Sequence, residues 1–213
     1  MRTRTPLNDG WLFRPDFDDA LVAPDAAEDG FARVRLPHTN LELPFNNFDE
    51  TASAFVSCYR RHVHLDAAAL AGSSVRLCFE GVMAAATVFC NGRLAGEHLG
   101  GYTGFDVELT GLVTAGDNVV VVAVDSTERP DIPPFGGVID YLTYGGIYRE
   151  VQLEILPEAF IADLCVRSAP TGRGRSLSLV LTVDNAPRTA ADLVAEVALT
   201  GPDGDVASHR FPV

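Results

Sequence analysis

Apolar side chains recur at every second position in run after run of this chain, and nowhere at the spacing of an amphipathic helix. Val56 to Leu65 sets Tyr59, Arg61, Val63 and Leu65 against Cys58, Arg60, His62 and His64. Ile147 to Ile155 sets Ile147, Val151, Leu153 and Ile155, with Arg149, against Tyr148, Glu150, Gln152 and Glu154. Successive side chains of a strand point to opposite faces, so this alternation predicts strands with one buried side. Val75 to Glu80, Ala86 to Cys90 and Phe105 to Leu109 read the same way, and Asn118 to Asp125 is a continuous apolar run of the kind buried on both faces. Asn91-Gly92 lies between two such runs. A type I′ turn needs φ > 0 at both central residues, which asparagine and glycine tolerate, so a hairpin is predicted there. The fold class that follows is all-β.

The texture changes after Ile155, where Leu156-Pro157-Glu158 interrupts the run. Phe160 to Arg167, Leu177 to Val183, Leu193 to Leu199 and Val206 to Phe211 are evenly spaced strand candidates, separated by Pro170-Thr171-Gly172, Asn185-Ala186-Pro187 and Gly201-Pro202-Asp203-Gly204. We therefore divide the chain into a first domain, residues 1–155, and a second, residues 156–213. The second has the rhythm of an immunoglobulin-like sandwich, which takes about seven strands over ~100 residues. About half of that is present, so the chain is expected to stop inside its second domain.

Hydrophobic residues make up 47% of the chain and charged residues 21%, a balance that excludes a disordered polypeptide. The net charge of −13 argues against nucleic acid or an anionic membrane surface as partner. The longest apolar run, Val119 to Val124, is far too short to span a bilayer. Cys58, Cys78, Cys90 and Cys165 include no C-x-x-C pair, so buried free thiols are expected in place of a zinc or dithiol site. Met1 to Pro6 is basic but leads into Asn8-Asp9-Gly10 and no apolar stretch, so no secretory signal is read and a cytoplasmic location is expected. His62-x-His64 puts two imidazoles on one strand face, but no glutamate follows at the spacing a cupin-type metal site uses, and solvated strand histidines are the better reading.

Two segments have the composition of shaped loops. The first, Leu41 to Glu50, mixes Pro44 and aromatics with Asn46 and Asn47. The second, Pro133 to Arg149, carries two Gly-Gly pairs with Asp140, Tyr141 and Tyr144 between them. Prolines that fix φ and glycines that allow φ > 0 let a loop hold an unusual path and present a carboxylate and aromatic rings. Taken alone, Asp140 also fits a turn or cap residue, and Asn46 and Asn47 fit turn asparagines bonding their own backbone.

Asp140 followed by Gly146-Ile147 and Arg149 resembles the segment that closes the N-terminal domain of family 2 glycoside hydrolases, the β-galactosidase and β-glucuronidase group. The resemblance covers most of residues 1–155. It includes, in order, Trp11-Leu12-Phe13, Leu36-Pro37-His38-Thr39, Cys58-Tyr59-Arg60-Arg61, Phe79-Glu80-Gly81-Val82, Asn91-Gly92 and Gly96 to Phe105. It implies a jelly-roll-like β-sandwich followed by the immunoglobulin-like domain, with catalysis in a third domain, a (β/α)8 barrel of ~250 residues that this chain has no room for.

Retaining glycosidases need two carboxyl groups about 5–5.5 Å apart. The family's acid lies in an Asn-Glu dipeptide, which this chain lacks, so no catalytic residue is assigned and the chain by itself is expected not to hydrolyse glycosides. The resemblance instead implies substrate positioning within a retaining, exo-acting enzyme. Asp140 would accept from two neighbouring sugar hydroxyls, with Tyr144 and Asn46 or Asn47 as further substrate contacts. The partners it implies are a β-glycoside and the barrel of the same polypeptide, and further copies of the chain are compatible with it. In some β-galactosidases the matching acid also ligates a monovalent cation, so a monovalent or divalent cation in the full-length enzyme is compatible too; the residues themselves indicate no cofactor. Arg149 is expected to anchor its strand by an ion pair. Two other classes stay open: a stand-alone carbohydrate-binding module using Trp11, Tyr102, Tyr141 or Tyr144 as stacking platforms, and a structural interaction domain with open strand edges.

Overall fold

The computed structural model describes residues 2–46, 49, 51–133, 135, 143–172, 174–184 and 193–212. The chain forms two compact units, Met1–Ile155 and Leu156–Val213. Asp140, Asn47 and Tyr141 lie outside the described residues.

The first unit is a sandwich of two sheets. One has four strands in the order β1 (Thr3–Pro6), β10 (Val151–Pro157), β5 (Ser73–Phe79) and β8 (Phe105–Glu108). The other has six, in the order β3 (Ala32–Val34), β2 (Trp11–Arg14), β4 (Val56–Leu65), β9 (Gly116–Asp125), β6 (Ala85–Cys90) and β7 (Arg93–Leu99). One apolar cluster joins the two inner faces, with Val75, Leu77, Phe79, Val107 and Leu153 from the smaller sheet meeting Trp11, Tyr59, Val63, Val88 and Val122 from the larger. Burying such side chains away from water is the main term that holds a sandwich together. Among the described residues, helix is confined to one turn of 3-10 helix, Asp19–Val22, and one turn of α-helix, Ala67–Leu70.

The alternation reads true at β4, whose Tyr59, Val63 and Leu65 enter the core, and at β9, buried from Asn118 to Val124. The predicted hairpin joins β6 to β7, with Asn91 at φ 51° and Gly92 at φ 79°. Asn91 does more than turn. Its Nδ2 donates to Leu112 O and Asn118 Oδ1, and its Oδ1 accepts from Val119 N, tying the hairpin to β9.

Two residues placed by alternation on a polar outer face are buried all the same. Arg60 is 1% exposed because residues 17–31 cross the outer face of the six-stranded sheet. Its guanidinium donates to Glu28 Oε1 at 2.9 Å, to Leu21 O at 3.1 Å and to Ala23 O at 3.0 Å. Glu154, 2% exposed, is roofed by Arg2 and Arg4, both of which donate to its Oε1. Trp11, weighed above as a sugar platform, is fully buried and meets Tyr59 edge to face, so it is a core residue. Cys58 and Cys90 are buried, and all four cysteines are free.

The described residues of the second unit form two antiparallel hairpins, β11 (Phe160–Thr171) with β12 (Gly174–Asp184), and β13 (Val194–Thr200) with β14 (Val206–Pro212). Many of its large apolar side chains are exposed, among them Ile161, Leu164, Val166, Val194 and Val206.

Candidate functional site

At one end of the sandwich the roots of the two sequence-predicted loops are hydrogen-bonded to each other. After β9 the chain turns at Ser126, whose N–H donates to Phe55 O at 3.1 Å. Residues 38–40 then run beside residues 145–147: His38 N donates to Ile147 O at 2.9 Å, and Asn40 N to Gly145 O at 3.0 Å. From the other side Met83 N donates to Gly146 O at 3.0 Å, while the Ser126 hydroxyl donates to Met83 O at 2.9 Å. Asn40 closes the arrangement. Its Nδ2 donates to Ser53 O at 2.7 Å, which ties the two ends of the first loop together beside the backbone bond to Gly145.

The glycines here are forced by space. A Cβ on Gly145 would lie 2.4 Å from Asn40 Nδ2 and 2.5 Å from Ser126 Oγ. A Cβ on Gly146, whose φ is +101°, would lie 2.5 Å from Tyr59 Oη and 2.8 Å from His38 O. Close backbone approach and a left-handed φ are the two conditions that only glycine meets without strain.

Buried polar groups beneath this root are paired in a defined way. Tyr59 Oη lies 2.9 Å from His38 Nδ1, so one of these two groups donates to the other. Desolvation by burial pushes the Tyr59 phenol above its ordinary range and holds the His38 imidazole below its own, the Glu42 carboxylate opposing the latter only in part. Phe13 packs against both rings, at 4.7 Å from His38 and 5.0 Å from Tyr59 between centroids. One buried atom of the cluster, Asn40 Oδ1, has no partner among the described residues.

Of the predicted contacts, Tyr144 is 55% exposed beside Gly145, and Asn46 is exposed next to a fully exposed Phe45. Both side chains are open to solvent. Arg149 makes no ion pair with a described residue; its guanidinium carbon lies 5.4 Å from the Tyr148 ring centroid instead, a cation–π contact in place of the expected salt bridge. Tyr102, 44% exposed, lies in a separate loop. His62 and His64 each pair with an acid, Glu28 and Asp117, on solvent-facing surface. Among the described residues no group of three or more His, Cys, Asp or Glu side chains could hold a metal ion, and the cation implied for Asp140 stays with the resemblance. Sequence reasoning missed Asn40, Ser126 and Met83, and took His38 only as part of a motif. Only the position of Asn40 directly after Leu36-Pro37-His38-Thr39 could have drawn attention to it.

The model of "Glycosyl hydrolases family 2, sugar binding domain" matches residues 9–157. The chain is 40% identical over 213 residues to a β-galactosidase of Thermoanaerobacterium thermosulfurigenes, covering 99% of this chain and 30% of that protein. It is 43% identical over 161 residues to a β-galactosidase of Thermoanaerobacter pseudethanolicus, covering 74% of this chain and 21% of that one. The crystal structure of a Bacteroides uniformis β-glucuronidase superposes with a TM-score of 0.80 over the whole chain and 26% of its own length, at 24% identity, a likeness of fold. The chain thus spans less than a third of the length of each of these proteins, and through residues 9–157 it belongs to glycosyl hydrolase family 2 as a bearer of the family's sugar binding domain.

Proposed function

We propose that the first unit is the substrate-positioning part of a retaining, exo-acting, β-galactosidase-like glycosidase, acting together with a catalytic barrel in the same polypeptide. The observation that carries this reading is the shared root of the two loops: one polar floor, through Asn40 and Gly145, holds both the segment bearing Asn46 and the segment leading to Tyr144. Fixing two loops to one floor fixes the ligand-facing groups relative to each other, which is what orienting a sugar ring requires. Asp140, Asn46, Asn47 and Tyr144 are the proposed contacts. The carboxylate would accept from adjacent hydroxyls, while the amides and the phenol supply single hydrogen bonds and ring contact.

The relatives named β-galactosidase support the choice of substrate class. The test is Asp140→Ala in the full-length enzyme. Turnover on an aryl β-galactoside should fall about a hundredfold, as expected when a ring loses its positioning contact, with the unfolding temperature nearly unchanged. Unchanged turnover with lost stability would make Asp140 a loop staple and end the proposal.

We read residues 156–213 as the opening strands of an immunoglobulin-like sandwich, supported by hairpins whose apolar side chains stay exposed in this chain. The same exposure favours a second reading, a surface for pairing with another chain. Titration of the isolated chain with galactose, glucuronic acid and mannose separates both from a stand-alone carbohydrate-binding module, since millimolar or tighter binding would mean that the pocket is complete without a barrel.

A further inference from the structure

We propose that Asn40 is a positioning residue for the glycosidase reaction, setting the relation between the two ligand-facing loops without touching substrate; this rests on the substrate-positioning reading above. Asn40 is 5% exposed and uses three of its polar groups differently. Its backbone N–H donates to Gly145 O at 3.0 Å, so it fixes the root of the loop that runs back through Tyr144. Its Nδ2 donates to Ser53 O at 2.7 Å, so it fixes the far root of the loop holding Asn46. Its Oδ1 is buried and has no partner among the described residues.

An orphaned buried acceptor is a standing cost, which an apolar side chain of the same size would not carry. Retaining the amide is therefore poorly explained by stability. It is explained by geometry, because only a side chain of this length with a planar N–H donor can reach Ser53 O while the backbone stays paired to Gly145. The fit leaves no slack: a single methyl on Gly145 would lie 2.4 Å from Asn40 Nδ2 and 2.6 Å from Asn40 Cγ. Ser126 holds the opposite side of the same glycine pair, its Oγ 3.3 Å from Gly146 N and 2.9 Å from Met83 O. A displacement at Asn40 is thus passed to the roots of both loops at once.

The test is a mutant cycle in the full-length enzyme. Asn40→Leu keeps the branched outline of the side chain and removes both the donor and the orphan. It should lower the unfolding temperature only by what the stranded Ser53 carbonyl costs, while lowering kcat/KM tenfold or more, a loss within the range that small misplacements produce. Because Asn40 acts through the loops, Asn40→Leu combined with Asp140→Ala should be little worse than Asp140→Ala alone. Should the leucine variant fail to fold, Asn40→Ser, which leaves room for water, takes its place with the same expected non-additivity. A normal kcat/KM in either folded variant beside a damaged Asp140→Ala enzyme would overturn the assignment of Asn40 while leaving the functional reading intact, as would fully additive losses. An undamaged Asp140→Ala enzyme would instead refute the functional reading and this assignment with it.

Discussion

Replacing Gly146 with alanine should destabilise the first unit well beyond what its backbone angle alone accounts for. At φ +101° an L side chain carries about 1–3 kcal/mol of strain. The new methyl would also stand 2.8 Å from His38 O and 2.9 Å from Asn40 N, backbone atoms that no rotamer change can move. Relief requires opening the pairing of residues 38–40 with 145–147, which forfeits two hydrogen bonds at about 0.5–1.5 kcal/mol each. The sum is about 4 kcal/mol at mid-range, or a drop of about 8–16 °C for a domain of this size. Gly30 supplies the control. Its φ is +83°, but a Cβ there would meet nothing within 4 Å, so Gly30→Ala should cost only the left-handed backbone term, about 1–2 kcal/mol. The assay is thermal unfolding followed by tryptophan fluorescence, since the chain's one tryptophan, Trp11, is fully buried in the first unit and reports on that unit alone. If Gly146→Ala were no less stable than Gly30→Ala, the close approach at the loop root would not be a constraint in solution, and the clamp would lose its basis.

Arg60→Met should cost about 1–3 kcal/mol for each of the Leu21 and Ala23 carbonyls it leaves without a donor, while Glu28, 39% exposed, keeps solvent and His62. Urea unfolding would read the loss, and residues 17–29 should become the first site of cleavage in limited proteolysis. Acid should weaken the fold through His38, whose folded-state proton affinity is held low by burial. Stability is full above the ordinary imidazole range, falls as pH drops through that range toward the lowered folded value, where the unfolded chain binds a proton that the folded one refuses, and then levels off. Denaturant midpoints against pH for wild type and His38→Asn should diverge in that window and agree above it.

The strands were legible because alternation is a local property. Val63 and Leu65 announce their face whatever lies across from them, and Asn91-Gly92 specifies its turn within two residues. What alternation cannot say is whether the other face is covered. Arg60 and Glu154 stand where a solvated strand would carry charge, and they are buried because distant segments, residues 17–31 and the pair Arg2 and Arg4, cross over them. The same limit hid Asn40. As a sequence it is a polar residue after a proline corner, and its burial depends on Ser53, Ser126 and Gly145 converging from three other parts of the chain. The glycines did signal an unusual path, yet their reason is a neighbour that no local pattern names. Asn46 and Tyr144 were legible as exposed loop residues, while Asp140 and Asn47 lie outside the described residues and rest on composition and resemblance.

The division between an apolar interior and a polar loop root has a consequence for how substitutions will sort. Sheet-to-sheet contacts such as Leu77, Phe79 and Val122 act through area removed from water, so their loss lowers stability in proportion to volume and changes the loops only when the unit unfolds. Contacts at the root act through direction. Asn40 and Ser126 bury little apolar surface but set where the chain leaves the sandwich, and a hydrogen bond that is re-formed a fraction of an ångström away costs little stability while moving everything it supports. Side chains that fix the exits should therefore separate turnover from folding in a way that core side chains cannot.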